Sequence, residues 1–125
     1  MNKIVISSES IGKVTATLHD ENPVSARKFY ESLPFEGTAN LWGDEIYFSI
    51  PLIVEKENGR VCVKEGEIAI WVESPSFCIF FGKTPVSTDK EIRAASEVNV
   101  IGLIDGAPEV FKEVNRGEII KITRE

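Results

Sequence analysis

Few side chains in this sequence are of types that do covalent or acid–base chemistry near neutral pH. His19 is the single histidine, and Cys62 and Cys78 are the two cysteines among 125 residues. A general base needs a nucleophile within reach and a partner that orients it. His19 follows Leu18 at the end of a strand-like run. Its neighbour Asp20 points to the opposite face of such a run, so no Ser-His-Asp or Cys-His arrangement is expected and His19 reads as a surface histidine. Each cysteine lies inside an apolar run, which reads as two buried, reduced thiols. Two Cys and one His without a C-x-x-C spacing do not make a standard zinc site, so no metal is expected. Gly82-Lys83-Thr84 has the end of a phosphate loop, but Phe77 stands where that loop needs another Gly. Pro85 follows in place of a helix, so no nucleotide site and no cofactor are expected.

The remaining chemistry is recognition. Trp42, Tyr47 and Trp71 each lie near a short turn, and Trp and Tyr combine a large apolar body with one polar group. The binding reading is a groove walled by Trp42, Tyr47, Trp71 and Phe81. The polar stretch from Lys83 to Arg93 roofs it and brings Thr84 and Arg93 to the ligand, a peptide or a small molecule. The guanidinium of Arg93 suits a carbonyl or a carboxylate. The competing reading makes the rings core residues and Arg93 a solvated side chain of a long loop.

These residues need strands to position them, and the pattern supplies strands. Val14, Ala16 and Leu18 alternate with Lys13, Thr15 and Thr17, as in a half-buried strand. With Lys3–Ser8 and a turn at Ser10–Gly12, they predict a hairpin. Phe35–Trp42 and Glu45–Ile50 flank Gly43-Asp44, which suits a two-residue hairpin loop. Ile53–Glu57 and Arg60–Val63 flank Asn58-Gly59, which predicts a type I′ turn with Glu57 opposite Arg60 and Val54 opposite Val63. Glu67–Val72 and Phe77–Phe81 follow, the latter apolar at every position, so neither face is expected in water. Lys83–Glu97 lacks alternation and reads as a long functional or mobile loop. Val98–Ile104 and Glu118–Thr123 resume strand character.

Two helices complete the pattern. Asn22-Pro23 opens one, with Asn as its N-cap and Ala26, Phe29, Tyr30 and Leu33 on one stripe. A short helix is expected over Pro108–Val114. The fold class is therefore mainly β: one domain over residues 1–125, read as a closed antiparallel β-barrel of about eight strands with one main and one short helix. Closure is favoured because it leaves no exposed strand edge. A β-sandwich is the alternative.

Bulk properties exclude other classes. A net charge of −6 and an interspersed charge pattern argue against nucleic acid. No apolar run approaches the ~20 residues of a membrane helix, and the first residues lack a leader pattern. A cytoplasmic protein is expected. The absence of Gln, with one Met and many Lys and Glu, hints at a heat-loving source. Nothing in the composition fixes the oligomeric state.

Five segments in order resemble the small cyclophilin-like proteins of archaea and bacteria. They are Leu33-Pro34-Phe35-Glu36, Asn40-Leu41-Trp42-Gly43-Asp44-Glu45-Ile46-Tyr47-Phe48, Gly66-Glu67-Ile68-Ala69-Ile70-Trp71, Ile79-Phe80-Phe81-Gly82-Lys83-Thr84-Pro85 and Ala95-Ser96-Glu97-Val98-Asn99-Val100-Ile101-Gly102. The resemblance implies a cyclophilin-like β-barrel and brings no activity with it. Ile70 stands where the family often has Tyr. The Phe-His-Arg and Gln-Gly-Gly-Asp segments of true prolyl isomerases are absent. The expected function is a cyclophilin-like binding protein. A weak prolyl isomerase using Arg93 as its cation, and a scaffold subunit with no small-molecule site, are the alternatives.

Overall fold

The computed structural model describes residues 2–125; Met1 lies outside them. The alternating runs form strands and the hairpins follow. Strands β1 (Lys3–Ser8) and β2 (Gly12–Leu18) pair antiparallel from Lys3↔Thr17 to Ser8↔Gly12. Ala16 and Leu18 are buried as the alternation requires. On the other face, the Thr15 and Thr17 hydroxyls both donate to Asp105 at 2.8 Å.

Helix α1 (Pro23–Ser32) starts where Asn-Pro places it, but Asn22 does not cap it. The Asn22 side chain is fully buried; it donates to the Val100 carbonyl at 2.8 Å and accepts from Asn58 N at 2.6 Å. Glu57 takes the capping role, accepting from Val24 N and Ser25 N at 3.1 Å each. A carboxylate suits those free amides and the positive end of the helix dipole. The predicted hairpin at Asn58-Gly59 is therefore absent. Neither residue has the positive φ that a type I′ turn needs. Residues 53–57 form no strand, and Glu57 faces the helix rather than Arg60.

The sheet has ten strands: β3 (Phe35–Thr38), β4 (Asn40–Leu41), β5 (Glu45–Ser49), β6 (Arg60–Val63), β7 (Glu67–Trp71), β8 (Ser76–Phe80), β9 (Ile92–Ile104) and β10 (Ile119–Arg124) follow β1 and β2. Their order is β3-β10-β1-β2-β9-β7-β8-β5-β4, every ladder is antiparallel, and β6 pairs with β9. The sheet is mainly antiparallel as expected, with ten strands against the expected eight or so, and its path is not closed by hydrogen bonds. The path ends at β3 and β4, which are not paired with each other. They are successive parts of one stretch of chain, joined by Ala39. The short helix over Pro108–Glu113 is a 3₁₀ helix.

The sheet buries apolar side chains on both faces where β7, β8 and β5 lie. Phe77 and Ile79 of β8 join the main core, while Cys78 and Phe80 join a second, smaller cluster. This explains the unbroken apolar run. In the main core the Phe29 ring of α1 stacks on Phe77 at 5.2 Å and tilts against Phe35 at 5.3 Å.

The polar stretch after Phe81 ends sooner than its composition suggests. β9 begins at Ile92, and its first half pairs with β6. Facing β7, β9 slips register: Ile68 pairs with Gly102 and Ala69 with Val100, which leaves Ile101 as a bulge. The extra residue shifts the phase of the strand. Ile101 and Ile104, three apart, both reach the main core, while Val98 and Val100 reach the second cluster.

Candidate binding site

The second cluster borders a cavity of about 260 Å³. On β5, Ile46 and Phe48 point into the main core, so Glu45 and Tyr47 project to the opposite face by strand alternation. Tyr47 pairs with Cys78 of β8, and Cys78 pairs with Ala69 of β7. Trp71 ends β7 opposite Val98. Across from these large rings, β9 offers Ala94, Ala95 and Ser96. Small side chains facing aromatic ones leave the space between them. The Trp71 indole N–H donates to Ser96 Oγ at 2.7 Å, which pins the ring across that space.

Trp42 reaches the cavity through the turn beside it. Trp42 and Glu45 exchange both backbone hydrogen bonds, at 2.9 and 3.2 Å, around the two-residue loop Gly43-Asp44. Gly43 takes φ of 60°, as the first central residue of a type II′ turn does. A Cβ on Gly43 would come within 2.8 Å of the Lys83 carbonyl and 2.9 Å of Thr84 Cα. Asp44 N donates to that same carbonyl at 2.8 Å. The turn is thus clamped to the chain leaving β8.

Glu45 is the unusual member of the lining. It is 7% exposed and accepts no hydrogen bond from any described N–H or O–H group. Burial pushes its carboxyl up to about 7, with the neighbouring Cys78 thiol the one opposing influence. Burial and the nearby carboxylate raise the Cys78 thiol well above its ordinary range. Cys78 is therefore a protonated wall atom and not a nucleophile. No Lys or Arg lines the cavity.

Of the six residues expected to share a groove, the structure brings Trp42, Tyr47 and Trp71 together. Phe81 is buried in the main core, its ring 6.3 Å from Phe111. Thr84 is buried too, bonded to Ser87 Oγ and to the Arg93 carbonyl, and serves to fasten the loop. Arg93 belongs to β9, opposite Cys62, and its exposed guanidinium lies 3.9 Å from Glu91. The expectation that both cysteines are buried fails for Cys62, which is exposed on β6 beside Glu91 at 3.2 Å. Sequence reasoning missed Glu45 because a charged residue opening a strand reads as solvent-facing. Its neighbours Trp42 and Tyr47, on the same hairpin, were the available signal.

One other cluster, His19, Glu21 and Glu67, has metal-ligand types close together. Arg60 already occupies the middle of it. Its Nε donates to Glu21 at 2.6 Å and its Nη2 to Glu21 and Glu67 at 2.9 and 2.6 Å. The bidentate pairing raises the Arg60 pKa further above an already high value. This is a structural ion network that ties β6, β7 and the approach to α1 together.

A mainly antiparallel β domain with one helix across its core and an aromatic cavity on its second face defines the class. The chain belongs to the cyclophilin-like family, whose model matches residues 2–123. Among solved structures it is similar to the solution structure of the hypothetical protein AF2241 from Archaeoglobus fulgidus. The identity is 42%, the match covers 99% of this chain and 95% of that one, and the TM-score is 0.84. No curated protein matches the chain.

Proposed function

We propose that this cyclophilin-like chain is a binding protein whose ligand, a small molecule or the side chain of a peptide, enters the cavity walled by Trp42, Tyr47 and Trp71. The observation that carries the reading is the company these rings keep. Three amphipathic aromatics and one carboxyl converge on a single concave, mostly apolar space, the usual form of a small-molecule site. At about 260 Å³ the cavity lies below the roughly 300–1,000 Å³ of drug-sized pockets, so it suits a compact group.

Its two indoles make the test direct. Trp42 and Trp71 are the only tryptophans, and both line the cavity. A screen of metabolites and short peptides, read by intrinsic fluorescence and by melting temperature, reports on the site itself, because a ligand of the folded state raises its stability. Ala95 is exposed at the cavity lining, so Ala95→Trp obstructs the space without disturbing the core. Hits that disappear in Ala95→Trp support the reading. Hits unaffected by that substitution, or no hits from the screen, refute it.

A further inference from the structure

The chemistry of the lining narrows the ligand class, on the reading that the cavity is a ligand site. A buried carboxyl whose one hydrogen-bonding neighbour is a weakly donating thiol is poorly matched, since most buried carboxyls are met by a cation or by backbone amides. Glu45 has neither: its neighbours in the cavity are rings, a thiol, a hydroxyl and aliphatic groups. Three aromatic rings attract a cation through the negative charge on their faces, and they do so best when water is excluded. Ring faces and carboxyl therefore favour the same charge.

We propose that the cavity accepts an alkylammonium group, with Trp42, Tyr47 and Trp71 around the cation and the Glu45 carboxylate as its counter-ion. Size agrees, since a compact head group fits about 260 Å³ where a drug-sized ligand does not. Anions and neutral hydrogen-bonding groups fit the lining less well. No Lys or Arg is present to meet an anion, and Ser96 Oγ already accepts from Trp71. The other titratable groups facing Glu45 are the Tyr47 phenol and the Cys78 thiol, and burial together with the nearby carboxylate holds the thiol in its neutral form. With the Glu45 carboxyl near 7, cation binding at neutral pH releases a proton.

The experiment titrates the full chain with choline and with 3,3-dimethylbutan-1-ol, its neutral carbon isostere, by calorimetry and tryptophan fluorescence at pH 6 and pH 8. A trimethyllysine peptide and its unmodified form make a second arm, which separates a free amine from a side chain as the source. The expected result is at least tenfold preference for the cationic member of either pair at pH 8. Its affinity falls by about tenfold at pH 6, as the carboxylate fraction falls. Glu45→Gln, a neutral side chain of the same shape, reduces the preference below twofold. Equal binding of cation and isostere, with both lost in Ala95→Trp, overturns the cation assignment and leaves the cavity as a neutral-ligand site. Tighter binding at pH 6 than at pH 8 overturns it too, because the protonated carboxyl would then be the donor. Failure of both cationic probes to bind overturns it outright.

Discussion

Glu45 predicts how stability depends on pH. The folded-state carboxyl titrates at about 7 against an ordinary value of 4.5, a rise caused by burial. The folded protein therefore holds a proton that the unfolded chain has released between these values. The Glu45 contribution to stability is greatest at or below the ordinary carboxylate range, falls as pH rises through the interval, and levels off above about 7. Each pKa unit is worth about 1.4 kcal/mol, so the shift corresponds to a loss of ~3 kcal/mol by pH 8. Glu45→Gln removes the ionisation and keeps the shape. Other groups titrate alike in both proteins, so the difference between their urea-unfolding free energies isolates Glu45. At pH 4.5 the two proteins differ by a small constant set by the amide. By pH 8 Glu45→Gln gains ~3 kcal/mol on the parent, equivalent to roughly 10 °C in melting temperature for a domain this size. A difference that stays flat from pH 4.5 to 8.5, or that favours the parent as pH rises, refutes the argument that Glu45 is a desolvated carboxyl.

Three further outcomes are expected. Arg60→Met leaves the buried Glu67 carboxylate without its guanidinium and costs about 3 kcal/mol in urea unfolding, and adding Glu67→Gln restores most of it. Glu57→Ala removes the carboxylate that caps α1 and costs about 1 kcal/mol above pH 6. Because the capping amides and hydroxyl hold the Glu57 carboxyl below its ordinary range against the opposing effect of burial, its contribution fades as pH falls through that lowered value, and the parent and Glu57→Ala curves converge in acid. Gly43→Ala meets the Lys83–Thr84 backbone and a disfavoured φ together, costs about 2 kcal/mol, and shifts the tryptophan emission because Trp42 adjoins the turn.

The sequence makes some elements plain and hides others for physical reasons. The β1–β2 hairpin is legible because one face is wet and one is dry, so hydrophobicity alternates. The Gly43-Asp44 turn is legible because only certain residues tolerate its backbone. Asn58-Gly59 carries the strongest local hairpin signal in the chain and still fails. Its backbone N–H and side chain are taken by Asn22 and Glu21, and these tertiary contacts outrank the local turn preference. The first half of β9 looks like loop because its edge partner β6 and its small side chains need no apolar alternation. Ala94, Ala95 and Ser96 matter to the site through the room they leave, which composition does not reveal. Phe81 and Trp71 are both aromatic and near strand ends, yet one fills the core and one lines the cavity. The face that each occupies depends on the pairing register, a property of the assembled sheet. Glu45 illustrates the same dependence, since its burial comes from strands remote in sequence.

The two ends of the strand path are one continuous stretch, Phe35–Leu41, which lies along β10 with its first half and along β5 with its second. β10 in turn sits between β3 and β1. During synthesis the β1–β2 and β5–β8 ladders have their partners early, but Phe35–Thr38 and Lys3–Ser8 both wait for residues 119–124 to emerge. Until then the nascent chain carries two unpaired edges, and the late strand seals both in a single event of high contact order. Residues 119–124 therefore act as the keystone of assembly, because the β1 and β3 edges stay open until they dock.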